Sequence, residues 1–219
     1  MIKLIKMLFT DFIKYIPKIE KEKLLSTDAH AKMAPLERIS YLKEVNYLNK
    51  IPRKAAVLML IYPKKQIAHL ALIVRNTYPG VHSSQIGFPG GKVEEYDADL
   101  KETALRETHE EVGIHPNKVQ IIKTFSEIYI PPSNFLVSPF MGISHEELIF
   151  IPDLEEVKRV LEFPVSDFLD DKSITKTRMS TSYAVDIEVP AFVVDKYVVW
   201  GATAMMMNEL KETIKSALL

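Results

Sequence analysis

The chain has 219 residues, 47% hydrophobic and 26% charged, a composition that suits a globular domain able to bury a core. A formal net charge of −1 excludes a global basic field for nucleic acid. The absence of cysteine excludes disulfides, thiolate metal ligands and a cysteine nucleophile.

No segment reaches the roughly 18 apolar residues of a membrane span. No small-residue cleavage site follows the amphipathic stretch MIKLIKMLFTDFIKYIPKIE, so a secretory signal is not expected and a cytoplasmic location is. Ile2, Ile5, Leu8, Phe9, Phe12 and Ile16 fall near helical spacing and predict a helix docked on the domain, on a partner subunit or on a membrane surface. A second helix is expected near Pro35–Leu48, with TDAHAKMAP as a loop between the two. Residues 1–50 therefore read as a helical extension, a candidate homodimer interface, and residues 51–219 as the main domain.

The apolar runs Lys54–Tyr62 and Ala68–Arg75, joined by PKKQ, predict a hairpin whose first strand ends at Pro63. Asn76 to Gly91 is too irregular for either period and reads as a structured loop. Asp97 or Asp99 can cap the helix that follows, which runs to about Val112 and stops at Gly113. Val119–Ile130 and Phe135–Ile143 read as strands, Leu154–Leu161 as a short helix, Tyr183–Val199 as β-rich, and Trp200–Leu219 as a closing helix. Mixed elements without strict alternation predict an α+β arrangement, a mixed-sheet α/β sandwich.

Glu107, Glu110 and Glu111 fall within an arc of about 100° on the Gly113-terminated helix. Like charges at that spacing destabilise a helix by a few tenths of a kcal/mol per pair, and the C-terminal dipole favours cations there. A hard divalent cation such as Mg²⁺ or Mn²⁺ reverses the sign of that term. The alternative is a solvated acidic face. The paired glycines Gly90 and Gly91 precede the helix, and Arg106 sits beside Glu107, placed to orient a carboxylate.

The run Arg106-Glu107-Thr108-His109-Glu110-Glu111-Val112-Gly113-Ile114 resembles the second half of the Nudix box, G-x5-E-x7-R-E-U-x-E-E-x-G-U, with Thr108 at the first aliphatic position U. Where the pattern sets its first Gly and Glu, this chain has Lys92 and Ala98; Gly91 and Asp97 stand one residue earlier. The upstream segment LALIVRNTYPGVHSSQIGFPGGKVE resembles the extra motif of Nudix coenzyme A pyrophosphatases, as do AHAKMAP (29–35), IPPSNFLVSPF (130–140) and WGATA (200–204).

The resemblance implies a Nudix-type α/β/α sandwich and hydrolysis of a diphosphate by water, with Mg²⁺ or Mn²⁺ as cofactor. It implies metal ligands Glu107 and Glu111, with Glu110 and the Gly91 carbonyl as further candidates. Candidate bases are Glu110, Glu111 and Glu127, with Arg106 as a supporting catalytic residue. Arg75 offers a planar fork to phosphate, and His82, Ser83, Ser84, Gln85, Gly90 and Gly91 offer further contacts. Tyr129, Phe135 and Trp200 read as core residues, the first two also able to flank a nucleotide or its arm. The implied substrate is a small nucleotide, coenzyme A or a derivative, cleaved to 3′,5′-ADP and 4′-phosphopantetheine. ADP-ribose, NADH and nucleoside triphosphates are alternatives within the same chemistry. A non-catalytic nucleotide-binding module is the alternative outside it.

Overall fold

A computed structural model describes residues 6–43, 51–76, 85–179 and 186–219. Its centre is the hairpin of β1 (Arg53–Lys64) and β2 (Ile67–Arg75), turned at Lys65-Gln66, both with positive φ as a tight turn between twisted strands demands. Pro63 does not end β1. It pairs with Ala68 beyond the last residue that β1 shares with its other neighbour, so no ladder hydrogen bond is lost there.

The remaining strands of the main sheet are β3 (Ile86–Gly87), β4 (Gly90–Lys92), β5 (Gln120–Thr124), β6 (Ile128–Ile130), β7 (Phe135–Ile143) and β8 (Val157–Pro164). The hydrogen-bonded order is β3-β2-β1-β7-β5, with β4 on β1, β6 on β7 and β8 on β2. The β1–β7 pair is parallel and the other pairs are antiparallel, so the sheet is mixed. Strands β9 (Ile174–Met179), β10 (Ile187–Val194) and β11 (Tyr197–Val199) form a second, three-stranded sheet.

Seven α-helices complete the described chain: α1 (Phe9–Phe12), α2 (Ile16–Lys21), α3 (Thr27–Ala31), α4 (Leu36–Lys43), α5 (Leu100–Val112), α6 (Val165–Leu169) and α7 (Gly201–Leu218). Helices cover both faces of the sheet, which is why β1 reads as a nearly continuous apolar run rather than an alternation. One face, Ala56, Leu58, Leu60, Ala71 and Ile73, packs with Ala104 and Val112 of α5. The other, Val57, Met59, Leu70 and Leu72, packs with Met205, Leu210 and Ile214 of α7 and with Phe9, Phe12 and Ile19 of the N-terminal helices. This is the expected α/β/α sandwich.

The N-terminal segment is docked on the domain through more than its apolar face. Met7 and Phe9 bond to the backbone of Ala68 and Gln66, 3.0 and 2.8 Å apart. Residues 1–5 and 44–50, part of the two expected N-terminal helices, lie outside the described residues. Three further assignments change. The expected loop that ends at Gly91 contains β3 and the start of β4. TDAHAKMAP contains α3, with Ala29 and His30 buried. The expected helix at 154–161 is replaced by β8 from Val157, whose residues pair antiparallel with β2; the short helix α6 follows at Val165. A free sheet edge beside β2 outweighs the helical propensity of that stretch. Among the described residues no helix is long and apolar enough to cross a membrane.

Candidate active site

Helix α5 is built as its sequence demands. Asp99 caps it, accepting from the amides of Lys101 and Glu102 at 2.8 and 2.9 Å, an arrangement worth about 1 kcal/mol. Glu102 reaches back to the Ala98 amide at 2.6 Å, and Gly113 closes the helix in the left-handed region at φ 74°. The helix lies across β4, and its last turns meet the two glycines of that strand.

Each glycine there answers a separate close approach. Gly90 has φ +148°, and a Cβ on it would overlap the Ala56 carbonyl and Val57. A Cβ on Gly91 would overlap the Glu107 carboxylate, which lies directly over that residue. The Gly90 amide donates to Glu111 Oε2 at 2.8 Å. Gly90→Ala is therefore expected to cost 3 kcal/mol or more, roughly the strain of a left-handed non-glycine residue plus displacement of β1. Thermal melts of the variant check this; an unchanged midpoint contradicts the packing described.

Charge holds the carboxylates in place. Arg75 lies 3.2 Å from Glu111 Oε1 and donates to the Gly90 carbonyl at 2.9 Å, closing a ring with the Gly90 amide. Arg106 donates to Asp97 through Nε and Nη2, at 2.8 and 2.9 Å, and to Glu107 and Glu110 through Nη1, each at 2.9 Å. Asp97 also accepts from the Glu94 amide and the Thr103 hydroxyl. Asp97 thus anchors Arg106, and Arg106 aims Glu107 and Glu110. Hydrogen bonds from Arg106 hold the Asp97 carboxyl well below the usual carboxylate range.

Burial works in the opposite direction on the other two glutamates. Glu111 is 1% exposed, and desolvation pushes its pKa up to about 7, against the pull of Arg75 and the Gly90 amide. Burial likewise raises Glu107, against the pull of Arg106. Glu156, just before β8, adds to the upward pressure on both. Nothing in its sequence context marked Glu156; its proximity follows from β8 pairing with β2.

These groups border one cavity of about 720 Å³. Glu107, Glu110, Glu111, Arg75, Arg106, Gln85, Gly90 and Gly91 all line it. Its floor continues away from α5 over Ala55, Val57, Val137, Phe135 and Ile130. Phe135 and Trp200, read as core residues, both border the cavity; Tyr129 does not line it, and its hydroxyl donates to Asn134. The first turn of α7, from Gly201 to Thr203, forms part of the wall and carries no side-chain cap. Glu127 is not among the lining residues: its carboxylate is exposed and accepts from Ser138 at 2.7 Å. His82, Ser83 and Ser84 lie outside the described residues.

Among the described residues no three acidic or histidine side chains form a ready metal cage. Magnesium seldom needs one, since it is usually held by one or two carboxylates together with substrate phosphates. Two desolvated carboxylates packed against the Gly90-Gly91 backbone offer such oxygens, and added positive charge would relieve the burial of Glu107 and Glu111. The residues present fit a hard divalent ion.

A match to the NUDIX domain spans residues 52–181, more than half of the chain. The chain belongs to the NUDIX domain family. It is 32% identical over 186 residues to the uncharacterized Nudix hydrolase NudL of Enterobacter sp. (strain 638), covering 80% of this chain and 90% of that one. It is 28% identical over 194 residues to Nudix hydrolase 22, chloroplastic, of Arabidopsis thaliana, covering 86% of this chain but only 64% of the plant protein's length. A solved MutT/nudix family protein from Enterococcus faecalis superposes with a TM-score of 0.48 at 15% identity, covering 84% of this chain and 71% of that one. As a Nudix hydrolase the protein acts on pyrophosphate bonds of nucleoside diphosphate derivatives, and Nudix hydrolases use divalent metal ions.

Proposed function

We propose that this Nudix hydrolase cleaves the diphosphate of coenzyme A or its derivatives, releasing 3′,5′-ADP and 4′-phosphopantetheine or its acyl form. One observation carries the reading. Three stretches that resemble coenzyme A pyrophosphatases are distant in sequence yet border the same cavity: Arg75 with Gln85 to Phe88, Gly90 and Gly91; Ile130 with Phe135; and Trp200 to Thr203. The cavity pairs an acidic end with a long apolar floor, which suits a diphosphate bearing a bulky arm.

In this mechanism Glu107, Glu111 and the Gly91 carbonyl would hold Mg²⁺ or Mn²⁺, with Glu110 as a further ligand candidate. The bound ion supplies charge neutralisation at the diphosphate oxygens and acidifies water. Asp97 and Arg106 are positioning residues that fix Glu107 and Glu110. The Gly90 amide fixes Glu111. Arg75, already at the cavity wall, turns its fork to a phosphate oxygen when substrate enters. Glu110 and Glu111 are the proposed acceptors of the proton of the attacking water, whose oxygen joins one phosphorus as that phosphorus loses its bond to the bridging oxygen.

Product analysis by liquid chromatography tests the substrate. Incubated with Mg²⁺ or Mn²⁺ and each of coenzyme A, ADP-ribose and NADH, the protein is expected to release 3′,5′-ADP from coenzyme A faster than it forms products from the others. Preferred turnover of ADP-ribose or NADH would sink the coenzyme A assignment while leaving the carboxylate site in place.

A further inference from the structure

The family match begins at residue 52, yet the cavity wall includes Arg38 from α4. Arg38 is 6% exposed, and its Nη2 donates to the Tyr129 carbonyl of β6 at 2.6 Å. The acidic cluster stands at the opposite end. Between the two, the floor crosses neighbouring strands in the order β4, β1, β7, β6. Strands lie about 4.8 Å apart, so Gly91 and the β6 edge are separated by about 14 Å, several times the spacing of two phosphorus atoms in a diphosphate.

Of the four cations that line the cavity, Lys92 pairs with Glu94 and the three arginines divide by position. Arg75 and Arg106 are bound to the carboxylates of the acidic end, the end assigned above to the diphosphate. Arg38 stands at the far end, where Ile130, Pro132 and Phe135 also line the cavity. A buried guanidinium at the wall of the cavity's apolar end is suited to a phosphate monoester, to which it offers a charged hydrogen-bond donor.

We propose that Arg38 binds a second phosphate of the substrate, a monoester on the ribose remote from the scissile diphosphate. The N-terminal segment thereby sets substrate choice for a catalytic site built from the family's shared residues. The identity of that group as the 3′-phosphate of a coenzyme A-like nucleotide rests on the function proposed above.

Binding of two product-sized probes, adenosine 3′,5′-bisphosphate and 5′-AMP, tests this by calorimetry without turnover. The wild-type protein is expected to bind the bisphosphate about 10-fold or more tightly than 5′-AMP, the size of a charge-assisted hydrogen-bond pair. In Arg38→Gln, which keeps a donor for Tyr129, that preference should vanish while 5′-AMP binding stays. Arg38→Lys should keep part of it. Should the Gln variant fail to fold, phosphorus NMR of the wild-type complex serves in its place: the 3′-phosphate resonance must shift on binding. Equal affinity of the wild-type protein for the two probes, equal loss of both in Arg38→Gln, or an unmoved 3′-phosphate resonance overturns the proposal. Retained 3′-phosphate preference without coenzyme A turnover would instead reject the substrate reading and keep the subsite.

Discussion

Glu111→Gln is expected to lower turnover by about 10²–10⁴-fold, the range for loss of a positioned proton-transfer group, while leaving the fold intact. Gln keeps an oxygen for the Gly90 amide but has no charge to offer a cation or a proton. The same substitution should alter the pH dependence of metal-free stability. Glu111 has a folded-state pKa of about 7 against an ordinary value of 4.5, because burial favours the neutral acid. Its stabilisation is therefore complete below about pH 4.5 and is lost as pH rises through 7, a swing of roughly 3 kcal/mol. In EDTA the wild-type melting midpoint should lose about 5–10 °C to this group between pH 5 and pH 8, and the Gln variant should be spared that loss. Wild-type turnover in the folded variant would refute the catalytic assignment. Identical pH profiles would refute the buried-carboxylate geometry.

Glu209→Ala is expected to have the largest effect on stability, about 3–5 kcal/mol, because it leaves several buried hydrogen-bond donors without their acceptor. Glu209 is fully buried on α7 and accepts from the Ser26 amide at 2.8 Å, the Ser126 amide at 3.1 Å and the Ser126 hydroxyl at 2.6 Å. The His30 imidazole lies 3.3 Å away. One carboxylate thus joins the N-terminal segment, the β5–β6 connection and the C-terminal helix. Burial alone would raise its pKa, but His30 and Ser126 outweigh it and hold the group below its usual value. Its contribution is present above about pH 4.5 and lost as pH falls through the folded-state value. Urea titration at pH 7 measures the cost; a variant within 1 kcal/mol of wild type would show that this junction does not hold the segment.

Much of the catalytic half was legible in the sequence because it rests on local rules. Helical spacing alone puts Glu107, Glu110 and Glu111 on one face, and Asp99 and Gly113 mark the helix ends. The reason for two adjacent glycines was legible only in kind: each clears a different neighbour, β1 for Gly90 and the Glu107 carboxylate for Gly91. Nonlocal pairing was not legible. Residues 157–164 become a strand because β2 offers an edge, and Glu156 reaches the cavity for the same reason. Asp97 was readable as a cap or a displaced acid, whereas its two-point contact with Arg106 depends on how the β4–α5 loop folds back. Trp200 and Phe135 looked like core by composition, and only the arrangement of α7 and β7 brings them to the cavity.

Manganese binding followed by electron paramagnetic resonance tests the central claim, that Glu107 and Glu111 form the divalent-ion site. The wild-type protein is expected to take up Mn²⁺, with Glu107→Gln and Glu111→Gln each weakening it by at least about 10-fold, since loss even of groups that merely support metal ligands costs that much. Wild-type Mn²⁺ affinity in both variants would contradict the account and move the metal site elsewhere.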